Sequence, residues 1–195
     1  MSSRAPKRKR GIYRHNLIME STACLITEGH SLDALTFDLI AERAGVSRVS
    51  LYHFFDSVES LLGVLYARGV EKMMASITDI PDSGSWREIM TALLDKSMHF
   101  YRRHPVEMAL GLSPISLPTV MGLNQSIGRD VHTLLIHRAQ VSGSVTVGRA
   151  CEIAVDIADA VWRKSYVEKG TITPIYHKQA KLAVLSYLAS ALDAE

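Results

Sequence analysis

Residues 36–55 of this chain, TFDLIAERAGVSRVSLYHFF, constrain its fold more than any other stretch, because they spell two short helices hinged at a glycine. Phe37, Ile40, Ala41 and Ala44 recur at the spacing of one apolar helical face, and Thr36 stands ahead of them as an N-cap. Gly45 ends this helix, since glycine takes the left-handed C′ conformation without a Cβ clash, and Ser47 then caps the next helix. Helices that meet across so short a turn need a small residue where their backbones touch and apolar residues on both inner faces. Ala41 meets the first need, and Val46, Leu51 and Phe54 meet the second. The pattern predicts a helix-turn-helix whose second helix enters the major groove of DNA.

The flanking sequence supplies the rest of a small head. From about Gly11 to Glu28, Leu17, Ile18, Ser21, Cys24 and Leu25 keep helical spacing, and Gly29 follows as a stop. This first helix covers the inner faces of the next two. Asp56, with Glu59 after it, resembles a capping box that opens a long helix with the stripe Val58, Leu62, Leu65, Gly69 and Met73, ending near Ile80. The turn Pro81-Asp82-Ser83-Gly84 closes this half of the chain.

Charge is distributed unevenly. Across the chain 22 Lys and Arg oppose 20 Asp and Glu, a net +2, yet without Arg4, Lys7, Arg8, Lys9 and Arg10 the balance is 17 against 20, or −3. Beside a helix-turn-helix, residues 1–10 read as a basic disordered arm whose Lys7, Arg8, Lys9 and Arg10 contact DNA phosphates or the minor groove. No run of eighteen apolar residues and no secretory signal stands out, which gives the expectation of a cytoplasmic protein without a membrane span. Cys24 and Cys151 lie far apart with no metal-binding spacing, so both are expected to be buried as small hydrophobes.

Taken together, Gly29, Thr36, Ile40-Ala41, Ala44-Gly45-Val46-Ser47, Leu51-Tyr52-His53-Phe54-Phe55 and Leu61-Leu62 resemble the DNA-binding region of the TetR family of bacterial transcriptional regulators, over residues 10–65. The remainder is similar in its helical character and in its Arg103-His104-Pro105 break. The resemblance implies an all-α homodimer in which a variable C-terminal domain binds a small molecule and loosens the grip on an operator. Its domains would be the arm (1–10), a helix-turn-helix head (11–56) and a helical ligand-binding and dimerisation bundle (57–195), the long helix joining head to bundle. The sequence departs from the family in a longer connector between Gly29 and Thr36, in Val49 where a small residue is common, and in Val58 where a lysine usually holds a phosphate. The arm or the amides that open the long helix are candidate substitutes.

Within the second helix, Ser47, Arg48, Val49 and Ser50 form the turn that reaches base edges or flanking phosphates. Arg48 has the chemistry to bind guanine O6 and N7 bidentately, and Val49 to touch a thymine methyl. Thr36 joins the expected contacts, while by resemblance Tyr52 and His53 point to phosphate. Phe54 and Phe55 are expected in the core.

The C-terminal part opens on the capping box Ser85-Trp86-Arg87-Glu88 and a helix reaching about Arg103. Pro105 starts a short helix, Gly111 to Pro118 is irregular, and residues 119–140 read helical again although Gly122 and Gly128 weaken the pattern. Two helices finish the chain, about Thr146–Lys169 and Pro174–Leu192. Ala150, Ala154 and Ala158 permit close helix approach, and apolar residues surround the last helix, so these two helices are expected to pair with their copies in a twofold four-helix dimer. Such a dimer suits a palindromic double-stranded operator.

The histidine pairs His99/His104 and His132/His137 are spaced five residues apart, onto different helix faces, and no nucleophile, metal or phosphate motif can be placed. Catalysis, metal and cofactor are therefore not expected. Met73, Phe100, Tyr101, Met108, Met121, Trp162 and Tyr166 are the candidates for lining an apolar pocket for an unidentified effector, although such a stripe also suits plain core. The helix-turn-helix predicts DNA binding, and the family resemblance adds the expectation of a ligand-responsive, sequence-specific DNA-binding repressor. The competing readings are a helical protein-interaction module and a ligand-binding helical enzyme, neither of which needs DNA affinity.

Overall fold

The computed structural model describes residues 9–77, 80–114 and 117–192, with backbone only for 117–121. In chain order the helices are α1 (Lys9–Thr27), α2 (Phe37–Ala44), α3 (Arg48–Phe54), α4 (Val58–Ser76), α5 (Trp86–Arg103), α6 (Pro105–Leu112), α7 (Leu117–Ala139), α8 (Val145–Lys169) and α9 (Pro174–Leu192), with a 3-10 turn at Leu32–Ala34. No strand occurs among the described residues, as the all-α expectation requires. No helix among them is long and apolar enough to cross a membrane.

The helix-turn-helix forms for the reasons its residues give. The Thr36 hydroxyl accepts a hydrogen bond from the Leu39 amide at 3.2 Å, and Gly45 sits at φ 61°, donating its amide to the carbonyls of Ala41 and Glu42. Ile18 and Met19 of α1, Ile40 of α2 and Leu51 of α3 meet in one apolar core. That core extends into Leu61, Leu62 and Tyr66 of α4 and into Ala109 and Leu110 of α6. A second core fills the bundle, with Met73 from the far end of α4 and Met108 and Leu112 from α6. Helices α4 and α6 therefore belong to both cores and tie the head to the bundle.

Several boundaries differ from the sequence expectation. Helix α1 begins at Lys9, so Lys9 and Arg10 are helical and exposed and are not part of a disordered arm; Lys7 and Arg8 lie outside the described residues. The cap of α4 is Ser57, not Asp56, and its box partner is Ser60, not Glu59. The Ser57 hydroxyl accepts the Ser60 amide at 3.2 Å, and the Ser60 hydroxyl accepts the Ser57 amide at 3.3 Å. Helix α4 stops at Ser76 and not near Ile80, where the Ser76 hydroxyl turns back onto the Met73 carbonyl and competes with the helical pattern. Cys24 is exposed, because the buried line of α1 runs through Ile18, Ser21, Thr22, Leu25 and Ile26 and leaves Cys24 on the flank; Cys151 is buried as expected.

The Ser85–Glu88 box forms as read, with reciprocal bonds of 2.9 and 3.3 Å to the two backbone amides. Gly128, which the sequence marks as a weak point of α7, is where α7 meets α8. A Cβ there would stand 2.5 Å from the Glu152 Cα, so only glycine allows the helices to lie this close. Ala150, Ala154 and Ala158 of α8 are all buried in the bundle core.

Candidate nucleic-acid interface

Helix α3 is short, and its sequence divides it cleanly. Leu51 and Phe54 are buried against α1 and α2, which leaves Arg48, Val49, Tyr52 and His53 facing outward. Val49 is 77% exposed, too open for packing to explain a valine there. Phe55 is fully buried at the end of α3, next to His15 of α1 at a ring-centroid distance of 5.1 Å. His15 also meets the edge of Phe54 at 5.7 Å. Its burial, and then the nearby Arg68, hold the His15 imidazole below its ordinary pKa, so it serves as a neutral packing residue.

The outward groups are already organised. The Arg48 Nη1 donates to both Asp38 carboxylate oxygens, at 2.9 Å and 3.2 Å, and its Nη2 donates to the Tyr52 hydroxyl at 3.1 Å. Tyr52 is in turn fixed by an edge-on contact of 4.9 Å with the buried Phe37. The Ser47 hydroxyl makes no cap bond to the backbone and instead lies 3.0 Å from the Ser50 hydroxyl. Ser47 and Thr36 thus both stand at helix starts, but only Thr36 caps with its side chain.

Next to the turn of the helix-turn-helix, Lys9, Arg10, Tyr13, Arg14 and Leu17 of α1 form a hollow with Gly45 and Val46. Arg14 and Tyr13 escaped the sequence reading. The available signal was the four-residue step from Arg10 to Arg14, which matters only once α1 is known to start at Lys9. The opening of α4 has the opposite character. Val58 is half-buried against the head core, and the hollow beside it contains Asp33, Asp38, Asp56 and Glu59. Hydrogen bonding from Ser57 holds the Glu59 carboxyl below its usual range, so an internal anion already occupies this helix start. The hollow at α1 is thus lined by cations and the one at the start of α4 by acids.

Inside the bundle, α4, α5, α7 and α8 enclose a cavity of about 70 Å³. Met73, Tyr101 and Trp162 line it as read from sequence, together with Met74, Met90 and Ile127. Phe100 and Met108 are buried elsewhere in the core, Tyr166 is half-buried away from the cavity wall, and the Met121 side chain lies outside the described residues. Residues of one helix share a pocket only when they share a face; Phe100 sits against His104, its ring centroid 4.3 Å away. The Trp162 indole Nε1 is buried with no acceptor among the described residues. Asn124 and Asp159 lie between this cavity and an outer cleft. Burial raises the Asp159 carboxyl even though Arg163 bonds it at 2.6 Å, and Arg163 also donates to the Ser113 and Gly111 carbonyls that end α6. No group of His, Cys, Asp and Glu among the described residues is arranged to hold a metal ion.

Comparison with known proteins agrees with this geometry. Residues 18–65 match the family described as bacterial regulatory proteins, tetR family, and residues 85–188 match that described as tetracyclin repressor-like, C-terminal domain. The HTH-type transcriptional repressor DrrR1 of Streptomyces coeruleorubidus is 29% identical over 100 residues, 51% of this chain, and the match spans only 36% of that relative's length. A TetR-family transcriptional regulator from Streptomyces coelicolor superposes with a TM-score of 0.71 at 22% identity, covering 92% of this chain and 99% of its own. A TetR transcriptional regulator from Rhodococcus sp. RHA1 gives 0.68 at 20% identity, covering 93% and 97%. These structures share the fold.

Proposed function

This chain belongs to the TetR family of bacterial regulatory proteins, and from that premise we propose that it is a repressor that reads its operator with the outward face of α3 and releases it on binding a small molecule. The observation that carries the reading is the exposure of Val49 beside an Arg48 held in place by Asp38 and Tyr52, on a helix buried along its other face. Arg48 reads a guanine and Val49 a thymine methyl, while Tyr52 and His53 with Lys9, Arg10 and Arg14 grip phosphates. Ser47, Ser50 and Thr36 lie at the edges of this surface.

The effector site is the bundle cavity. Its present 70 Å³ is far below the ~300 Å³ or more of a typical ligand pocket, so binding must open it. Met73, Met74 and Met90 are suited to that repacking, because methionine is unbranched and adaptable. Enlargement would push on α4, which lines the cavity and is shared with the head core, and shift the population of head separations away from the one DNA selects.

Two heads come from a homodimer. Ile153 and Val167 of α8 and Ile175 and Leu182 of α9 are exposed apolar residues, with Val167, Ile175 and Leu182 each at least 60% exposed. A twofold four-helix interface through α8 and α9 would bury them. Selection of binders from randomised duplexes should enrich a palindrome with half-sites about 10 base pairs apart, and light scattering should give a dimer. A monomer at working concentration, or an enriched site without symmetry, would count against this assembly.

A further inference from the structure

We propose that Asp38 is a specificity-determining residue: by pairing with Arg48 it restricts that guanidinium to uncharged base-edge acceptors and suppresses its use as a general phosphate contact. This inference rests on the reading of Arg48 as the base-contacting residue.

The pair is solvent-exposed, with 54% of the Arg48 side chain and 67% of that of Asp38 accessible. Exposed ion pairs contribute little to stability, so the consequence of this one lies in what Arg48 has left to offer. Nη1 is turned to the two carboxylate oxygens and Nη2 to the Tyr52 hydroxyl. The remaining N–H groups keep their donor capacity and a fixed direction, because Tyr52 is anchored on buried Phe37 and Asp38 is in the first turn of α2.

Two classes of acceptor compete for those N–H groups. A phosphate carries a full negative charge, and on approaching Arg48 it also approaches the Asp38 carboxylate. Attraction and repulsion at similar distances largely cancel, so the paired arginine gains little from the backbone. Guanine O6 and N7 carry only partial charge, and their value lies in two directed hydrogen bonds. The carboxylate leaves that term nearly intact and holds the fork in position for it. A lone arginine on the same helix would bind every duplex through its phosphates, raising affinity for random DNA without information. The acidic surround is consistent with this division of labour: Asp33, Asp56 and Glu59 share the hollow with Asp38 and Arg48, whereas the cations Lys9, Arg10 and Arg14 gather at α1.

The test uses the full-length protein, with fluorescence anisotropy on an operator obtained by selection and on a random-sequence duplex of equal length, across a salt series. In Asp38→Ala and Asp38→Asn, affinity for the random duplex should rise and its log–log salt slope should steepen by about one unit per head. The ratio of operator to random affinity should fall by about tenfold or more. In the Arg48→Ala background, the same Asp38 changes should leave that ratio unaltered. Melting curves of the variants identify any loss of α2. If Arg48→Ala weakens operator binding while Asp38→Ala leaves slope and ratio at native values, the proposal is overturned and the base-reading role of Arg48 stands. If Asp38→Ala weakens both duplexes equally, it is overturned in favour of a purely structural role. If Arg48→Ala changes nothing, the underlying reading fails first.

Discussion

Arg48→Ala is expected to lower operator affinity by about 1–3 kcal/mol for each head, or ~2–6 kcal/mol for a dimer that engages both half-sites. The loss should be concentrated on the operator. Binding to random DNA, for which phosphate contacts are proposed at Lys9, Arg10 and Arg14, should change far less, so the variant is expected to lose discrimination more than affinity. Arg48→Lys should not rescue it, since an ammonium cannot reproduce a planar fork that bonds Asp38 and Tyr52 together and has donors to spare. Operator affinity measured at one fixed salt concentration for the native protein and both variants checks this. Equal loss on operator and random duplexes would reassign Arg48 to phosphate.

Phe55→Ala is expected to destabilise the head by about 3–5 kcal/mol, the cost of emptying a fully buried aromatic site. Phe55 is fully buried, follows α3 in extended conformation with its amide on the Leu51 carbonyl at 2.8 Å, and packs on His15 and Phe54. It therefore fixes the angle at which α3 leaves the head. Denaturant unfolding should show the shifted midpoint, and DNA binding should fail while the α8–α9 surface still dimerises. A stability change below about 1 kcal/mol would mean that the head tolerates the cavity and that α3 is held by other contacts.

The parts of the fold legible in sequence are those specified by neighbours along the chain. Gly45 between two amphipathic runs and Ser85 with Glu88 each define a boundary through bonds to residues within one turn, and each appears where read. At the start of α4 the sequence reading takes Asp56 as the cap where Ser57 caps instead, because periodicity does not choose between adjacent residues. What depends on helices meeting in space was not legible. Gly128 weakens α7 taken alone, and its reason is the backbone of Glu152 on another helix. Asp38 passes for an ordinary first-turn acid until α2 and α3 cross and bring it within 2.9 Å of Arg48. Of the cavity residues, Met73, Tyr101 and Trp162 were found by their type, whereas Phe100 and Met108 share that type but occupy other faces.

Recognition of DNA by α3 and the α1 cations is tested most directly by the salt dependence of binding to the duplex upstream of the chain's own gene. Affinity should be measurable at low salt and fall linearly on a log–log plot, with a slope of about −0.9 for each phosphate neutralised, together with discrimination against a random duplex that is reduced in Arg48→Ala. No affinity for either duplex at low salt would contradict it.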